Sequence, residues 1–178
     1  MIQNSCCDGC GDGYDDGCGS PKKMIAVRVA TLCDVQRILE IASVSISPAW
    51  TYASVADRIE RDDTLLLVAV VSGRGACVVG FAAFRQVGDD GELLQIAVDE
   101  KARREGVGSE LLSEVLKHAE EKSLGSVFLE VRESNVPAIS FYEKFGFKQL
   151  HIRKAYYDDP VEDALIMIRE VARGRYKR

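Results

Sequence analysis

The stretch that decides the fold is Leu93-Leu94-Gln95-Ile96-Ala97-Val98, followed after four intervening residues by Arg103-Arg104-Glu105-Gly106-Val107-Gly108-Ser109. The first part is a nearly continuous apolar run, the pattern of a strand covered on both faces of a sheet. Behind the second part, Leu111, Leu112, Val115, Leu116 and Ala119 recur at helical spacing, predicting a helix from about Gly108 to Lys122 with Gly125 at its stop. A strand, a glycine-bearing bend and a helix start in that order leave unpaired backbone N–H groups and the positive end of a helix dipole at the bend. That setting favours an anion. Two glycines let a ligand approach the backbone closely, and consecutive amides can converge on a diphosphate. The segment has neither G-x-x-x-x-G-K-[ST] nor a full G-x-G-x-x-G, which argues against a nucleotide triphosphatase and a dinucleotide binder. On its own, R-x-x-G-x-G also fits a solvent-exposed turn with no ligand.

Working outward, Ile25, Val27 and Val29 alternate as in a strand, and Thr31 with Asp34 resembles a cap ahead of the helical face Val35, Ile38, Leu39 and Ala42. A second helix is expected around Ala53 to Arg61. Leu65 to Val71 and Ala76 to Phe84 read as two strands joined at Ser72-Gly73-Arg74-Gly75, and Asp89-Asp90-Gly91 as a further turn. Val127 to Arg132 is the next strand. Pro137 opens a helix whose Ala138, Ile139, Tyr142 and Phe145 share a face until Gly146, and Phe147 to Tyr157 and Leu165 to Glu170 complete the sheet. The fold class is α/β: a single domain with a mixed, mostly antiparallel sheet flanked by helices.

The chain of 178 residues is close to the ~150 of one domain. With 47% hydrophobic and 29% charged residues it has the composition of an ordinary globular protein, which excludes fibrous and fully disordered classes. Lys plus Arg at 23 against Asp plus Glu at 28 gives a net charge of -5, the wrong sign for a general nucleic-acid binder. No apolar run nears the ~18 residues of a spanning helix, so no membrane role is expected. Residues 1–23 carry four of the six cysteines but no apolar signal core, so they are read as a disordered leader on a cytoplasmic protein. Cys7-Asp8-Gly9-Cys10 is a C-x-x-C without a second to close a site of recognised spacing, and no metal site is expected. The functional domain is expected over 24–170, with a basic tail over 171–178 whose Arg173, Arg175, Lys177 and Arg178 are read as a solvated end.

The strand Leu94 to Val98, the Arg103 to Ser109 turn, Leu129-Glu130-Val131-Arg132-Glu133-Ser134-Asn135, Phe141-Tyr142-Glu143-Lys144-Phe145-Gly146-Phe147 and the ending from Tyr156-Tyr157 to Glu162-Asp163-Ala164 occur in one order. Together they resemble the GNAT acetyltransferases and, among these, the RimI family of bacterial ribosomal-protein alanine N-acetyltransferases. The resemblance implies acetyl-CoA as co-substrate, its diphosphate held by Arg103, Arg104, Glu105, Gly106, Val107, Gly108 and Ser109, its pantetheine arm along Ile96, Ala97 and Val98, and Asn135 bonding the same molecule. It further implies a protein N-terminus as acceptor, that of ribosomal protein S18.

Transfer to an amine needs the neutral form, and a protein α-amine has a reference pKa near 8, so a positioned base assists. Glu130 interrupts a mostly apolar strand, where partial removal from water makes a carboxylate a better proton acceptor. A structural carboxylate paired with an Arg or Lys is the alternative reading. The resemblance makes Glu130 the base, directly or through a water, and Tyr142 the acid that protonates the leaving thiolate, although Tyr142 also falls on its helix's apolar stripe. Tyr156 and Tyr157 match the aromatic pair that holds an acceptor peptide, or are strand aromatics. The family's aromatic-Pro-Trp segment stands here as Ser47-Pro48-Ala49-Trp50, one residue off in spacing, with Trp50 at the peptide groove or capping a core. His118 and His151 sit in no triad context and are read as surface residues. A lysine or small-molecule amine is the rival acceptor, and a non-enzymatic acyl-CoA-binding module the rival class.

Overall fold

The computed structural model describes residues 24–44, 50–72 and 77–171. The cysteine-rich leader, residues 47–49 ahead of Trp50, the glycine turn over 73–75 and the basic residues 173–178 lie outside them. In chain order the described elements are β1 (Ile25–Val29), α1 (Val35–Ser43), α2 (Tyr52–Glu60), β2 (Thr64–Val71), β3 (Cys77–Val87), β4 (Asp90–Val98), α3 (Val107–Glu121), β5 (Ser126–Arg132), α4 (Val136–Lys144), β6 (Lys148–Asp158) and β7 (Val161–Glu170). The strands form one sheet in the order β1-β2-β3-β4-β5-β7-β6. It is mixed as expected: β4 and β5 pair parallel, while β1/β2, β5/β7 and β6/β7 are antiparallel. By contacts the chain divides into two compact units, one up to Ala82 plus Ile96–Leu112 and the other Ala83–Gln95 plus the part from Ser113 onward.

In the first unit, the spacing of Val35, Ile38, Ile41 and Ala42 puts one face of α1 in the core, and Val55 does the same for α2. β2 is buried from Leu66 to Ala69, as its unbroken apolar run requires. Thr31 and Asp34 do cap this region, but across a short 3-10 turn, Leu32–Asp34, so that α1 begins at Val35. Asp34 is buried. Its Oδ2 accepts from the Thr31 N–H at 2.7 Å and from Arg28 Nη1 at 2.7 Å, and its Oδ1 from Arg28 Nη2 at 2.8 Å. Gly80 lets β3 lie close to its neighbours, since a Cβ there would meet Ala97 O at 2.9 Å and Val107 at 3.1 Å.

In the second unit, Phe84, Leu93, Val115, Leu116, Ala119, Val127, Leu129, Tyr142, Phe147 and Met167 make the core. Two expectations about glycines are corrected here. The turn between β3 and β4 is Gly88-Asp89, with Gly88 left-handed at φ 62; Gly91 lies inside β4, where a Cβ would clash with the Phe84 ring. Helix α3 stops before Gly125: Ser123 takes the left-handed position at φ 55, with Ser123 N bonded to Glu120 O and Leu124 N to Ala119 O, the pairing of a Schellman cap. At the end of α4 the glycine expectation holds. Gly146, at φ 83, bonds Glu143 O while Phe147 N reaches Tyr142 O, and the rings of Phe147 and Tyr142 meet at 5.8 Å. The hydrophobic contact that accompanies such caps therefore packs Tyr142 in place.

His118 is corrected as well. It is half-buried on α3 with its ring edge-on to Phe84 at 6.0 Å, and burial pushes its pKa down; His151 is exposed.

Candidate active site

In the first unit, the end of β4 leads into a turn built to display its backbone. Asp99 N donates to Val79 O at 2.8 Å, and the Asp99 side chain accepts from Lys101 N at 2.9 Å, capping a 3-10 turn over Glu100–Ala102. Arg37 of α1 bonds the same carboxylate and also donates from Nε to Val78 O at 3.1 Å. Burial pushes the Asp99 carboxyl up, but the Lys101 amide and Arg37 outweigh it and hold the group below the ordinary carboxylate range. Ala102 and Val107 are buried at the two ends of the turn, while Arg103, Arg104, Glu105 and Gly106 between them are exposed.

The chain is left-handed at Arg104, φ 64, and again at Gly106, φ 91, with Glu105 between. Such alternation turns successive N–H groups toward one concave side, an anion-binding nest. Ser109 N and Glu110 N both close on Gly106 O, at 2.9 and 3.1 Å, so the amides of Val107 and Gly108 precede the first helical hydrogen bonds. A left-handed arginine costs about 1 kcal/mol relative to ordinary backbone. Local strain of this kind is typical of ligand-binding turns. The residues present therefore fit a diphosphate, through backbone rather than through a cationic cluster. Ile96 and Val98 are partly exposed and Ala97 is buried, so this strand end is less covered than its apolar composition predicts. Trp50, also in this unit, packs on buried Phe81 at 5.3 Å, and the Arg58 guanidinium lies 4.5 Å over its ring. The indole thus caps the core and stays partly exposed.

In the second unit, the parallel ladder pairs Gly91, Glu92 and Leu93 with Val127, Phe128 and Leu129. Leu94 and Gln95 run past its last pair, as do Glu130, Val131 and Arg132 on β5. Glu130 is the first β5 residue beyond that ladder. Its side chain is 26% exposed and its Oε1 accepts from Arg153 Nη1 at 2.5 Å. The ion pair that the sequence leaves open as an alternative is thus present. Arg153 in turn lies 4.5 Å over the Tyr156 ring, and the neighbouring Glu130 carboxylate raises that phenol's pKa.

Tyr156 and Tyr157 stand inside β6, edge to face at 5.1 Å, at a bulge. Arg153 pairs with Ala164 and Tyr157 with Glu162, so three β6 residues lie opposite Asp163 alone. Asp163 holds the bulge by accepting from Ala155 N at 2.9 Å and Lys154 Nζ at 2.5 Å, with Ala155 left-handed at φ 48. Arg132 secures the same hairpin: Nη1 donates to Glu162 at 3.1 Å, Nη2 to Asp159 O at 3.1 Å, and the guanidinium lies 4.0 Å over Tyr157. The sequence reading missed Arg153, Arg132 and Asp163 as organisers of this cluster, because their partners emerge only from the β5-β7-β6 register.

Tyr142 of α4 is buried, and burial together with neighbouring Tyr157 pushes its phenol far above the usual tyrosine range. Its hydroxyl therefore keeps its proton throughout neutral and mildly alkaline pH. Asn135 is exposed as the N-cap of α4, where its Oδ1 accepts from Ala138 N at 3.3 Å. The Nδ2 group remains the part of Asn135 that can serve a ligand.

Residues 35–147 match the model of the acetyltransferase (GNAT) family. The chain is 33% identical over 155 residues to an N-alpha-acetyltransferase of Sulfurisphaera tokodaii, covering 82% of this chain and 92% of that protein. It is 40% identical over 92 residues to the ribosomal protein bS18-alanine N-acetyltransferase of Escherichia coli K12, covering 51% of this chain and 62% of that one. A crystal structure of the Escherichia coli ribosomal-protein-S18-alanine N-acetyltransferase superposes with a TM-score of 0.75 at 28% identity, over 87% of this chain and 99% of that one. The chain belongs to the GNAT acetyltransferase family. It is accordingly an acetyl-CoA-dependent acyltransferase.

Proposed function

We propose that this enzyme acetylates the N-terminal α-amine of a cytoplasmic protein, with the N-terminal alanine of ribosomal protein S18 as acceptor. The observation that carries this reading is the β5–β6 cluster, in which one carboxylate, Glu130, is paired with Arg153 beside exposed Tyr156 and half-buried Tyr157, whose rings meet edge to face. A carboxylate suits a cationic N-terminus, and two tyrosine rings provide rigid apolar walls for the first residues of a peptide.

When bound, acetyl-CoA supplies an activated acyl group as a thioester. The amides around Gly106–Gly108 would hold its diphosphate and the Ile96–Val98 strand end its pantetheine arm, and the Asn135 amide would bond the same molecule. Glu130 takes the proton from the acceptor ammonium, directly or through one water, so that the amine lone pair can form the C–N bond to the acyl carbon. As the C–S bond breaks, the Tyr142 hydroxyl gives its proton to the departing sulfur, and the second proton of the attacking nitrogen returns through water to the phenolate. No covalent intermediate on the protein is needed. Tyr156 and Tyr157 line the acceptor's path.

The test follows free CoA release with three acceptors: a peptide beginning Ala-Arg, a lysine peptide blocked at its N-terminus, and none. Release with the first alone supports the reading. Release with the blocked lysine peptide alone moves the acceptor to a side-chain amine, and binding of acetyl-CoA without release under any acceptor makes the chain a non-enzymatic binding module.

A further inference from the structure

Three of the arginine–carboxylate contacts among the described residues are held very differently. Arg28 makes two bonds to buried Asp34, and Arg132 is fixed by Glu162, the Asp159 carbonyl and the Tyr157 ring. Arg153 reaches Glu130 through Nη1 alone, from a side chain that is 51% exposed. Its stem is anchored, since the backbone beside it is pinned at the Asp163 bulge, and its head rests against the Tyr156 face. A single-point pair at this exposure is weak and readily exchanged. The aromatic face gives the guanidinium somewhere to remain after it lets go. Meanwhile it occupies one of the two oxygens of the carboxylate, Oε1, and neutralises its charge.

We infer that Arg153 is a displaceable stopper: it covers Glu130 until the ammonium of an acceptor replaces it, and so keeps the thioester from being hydrolysed while no acceptor is present. This rests on the reading of Glu130 as the base. The reaction held in check is balanced by water alone. A water gives one proton to Glu130 and its oxygen forms a bond to the acyl carbon; the C–S bond breaks, the sulfur takes the Tyr142 proton, the acetic acid so formed returns its proton to the Tyr142 phenolate, Glu130 releases its proton to solvent, and acetate and CoA leave. An acceptor ammonium carries the same charge as the guanidinium it displaces, so exchange costs little, whereas water cannot compete for the carboxylate. Arg153 is thus a positioning residue that acts through Glu130.

The experiment uses the full chain and follows CoA release with and without the Ala-Arg peptide, for wild type, Arg153→Met, Arg153→Gln and Arg153→Lys. Removing the charge should raise acceptor-free release about tenfold, a fraction of what a general base contributes. It should also lower the peptide KM about threefold, the equivalent of one exposed ion pair no longer in competition. Arg153→Lys should restore the restraint, and adding Glu130→Gln to Arg153→Met should abolish the new hydrolysis. Acceptor-free release equal to wild type in both neutral variants overturns the inference, as does loss of peptide transfer in them with acetyl-CoA binding intact. If instead Glu130→Gln alone leaves wild-type peptide turnover unchanged, the base assignment itself fails, which is a different result.

Discussion

Asp34 and Glu130 both sit opposite an arginine, in different units of the chain, and their surroundings assign them different work. Asp34 is buried, with both oxygens engaged by Arg28 and the Thr31 amide and hydroxyl adding two further donors. Four donors converge on one carboxylate, and the result is a capped helix entry at the end of β1. Glu130 is partly open to water and is bonded through one oxygen by a half-exposed arginine whose head also rests on the Tyr156 ring. A carboxylate whose partners are all fixed stabilises a fold, while one with an exchangeable partner can accept a new cation. Burial and donor count separate the two roles, where the ion-pair distance alone would not.

The largest effect that would break this comparison is on catalysis. Glu130→Gln should lower turnover about 10²-fold or more while leaving acetyl-CoA affinity and thermal stability nearly unchanged, since a partly exposed pair contributes little to folding. Steady-state kinetics alongside calorimetry checks this, and unchanged turnover would return Glu130 to a structural role. Asp34→Asn should do the reverse, costing about 1–2 kcal/mol of stability in urea unfolding at neutral pH with kcat unaltered. The pH dependence has a definite sign. Burial pushes the Asp34 carboxyl up, but its bonds to Arg28 and Thr31 outweigh that and leave the folded-state pKa lowered. Its contribution is therefore present above the unfolded value near 3.9 and is lost as pH falls through the folded one, so wild type and variant should converge below about pH 4.

Much of this contrast was legible in the sequence and some of it was not. Glu130 stands out because a charge interrupts Val127 to Arg132, and Asp34 because it follows Thr31 at capping distance. Arg153 could not be assigned to Glu130, from which it is 23 residues distant, without the register that pairs Glu130 with Ile166 and Arg153 with Ala164 across β7. The turn over 103–109 was legible for the opposite reason: what it displays is backbone, and glycine spacing reports backbone conformation directly. Even there, the left-handed residue at 104 is an arginine, which no spacing rule anticipates.

The same division between function and fold runs through the left-handed residues. Gly106 has open space around it: a Cβ added there would come no nearer than 4.0 Å to the Ile25 methyl, so Gly106→Ala acts through conformation alone. An alanine disfavours φ 91 by about 1 kcal/mol. That should weaken acetyl-CoA binding about fivefold by calorimetry and leave turnover at saturation within about twofold.

Ser123 is the structural counterpart, and it carries the smallest effect. It holds the left-handed seat of the α3 cap with a side chain that gains nothing from being there; the next glycine, Gly125, is instead bonded through its N–H to Asp89 O at 2.7 Å and plays no part in the cap. At the end of α4 the equivalent seat is already filled by Gly146. Ser123→Gly should relieve the left-handed cost, offset in part by the greater freedom glycine has in the unfolded chain, and raise stability by about 0.5 kcal/mol without touching kcat or either KM. A loss of stability on this substitution would mean that the serine side chain secures the helix end, and that positive φ at this site is not strain.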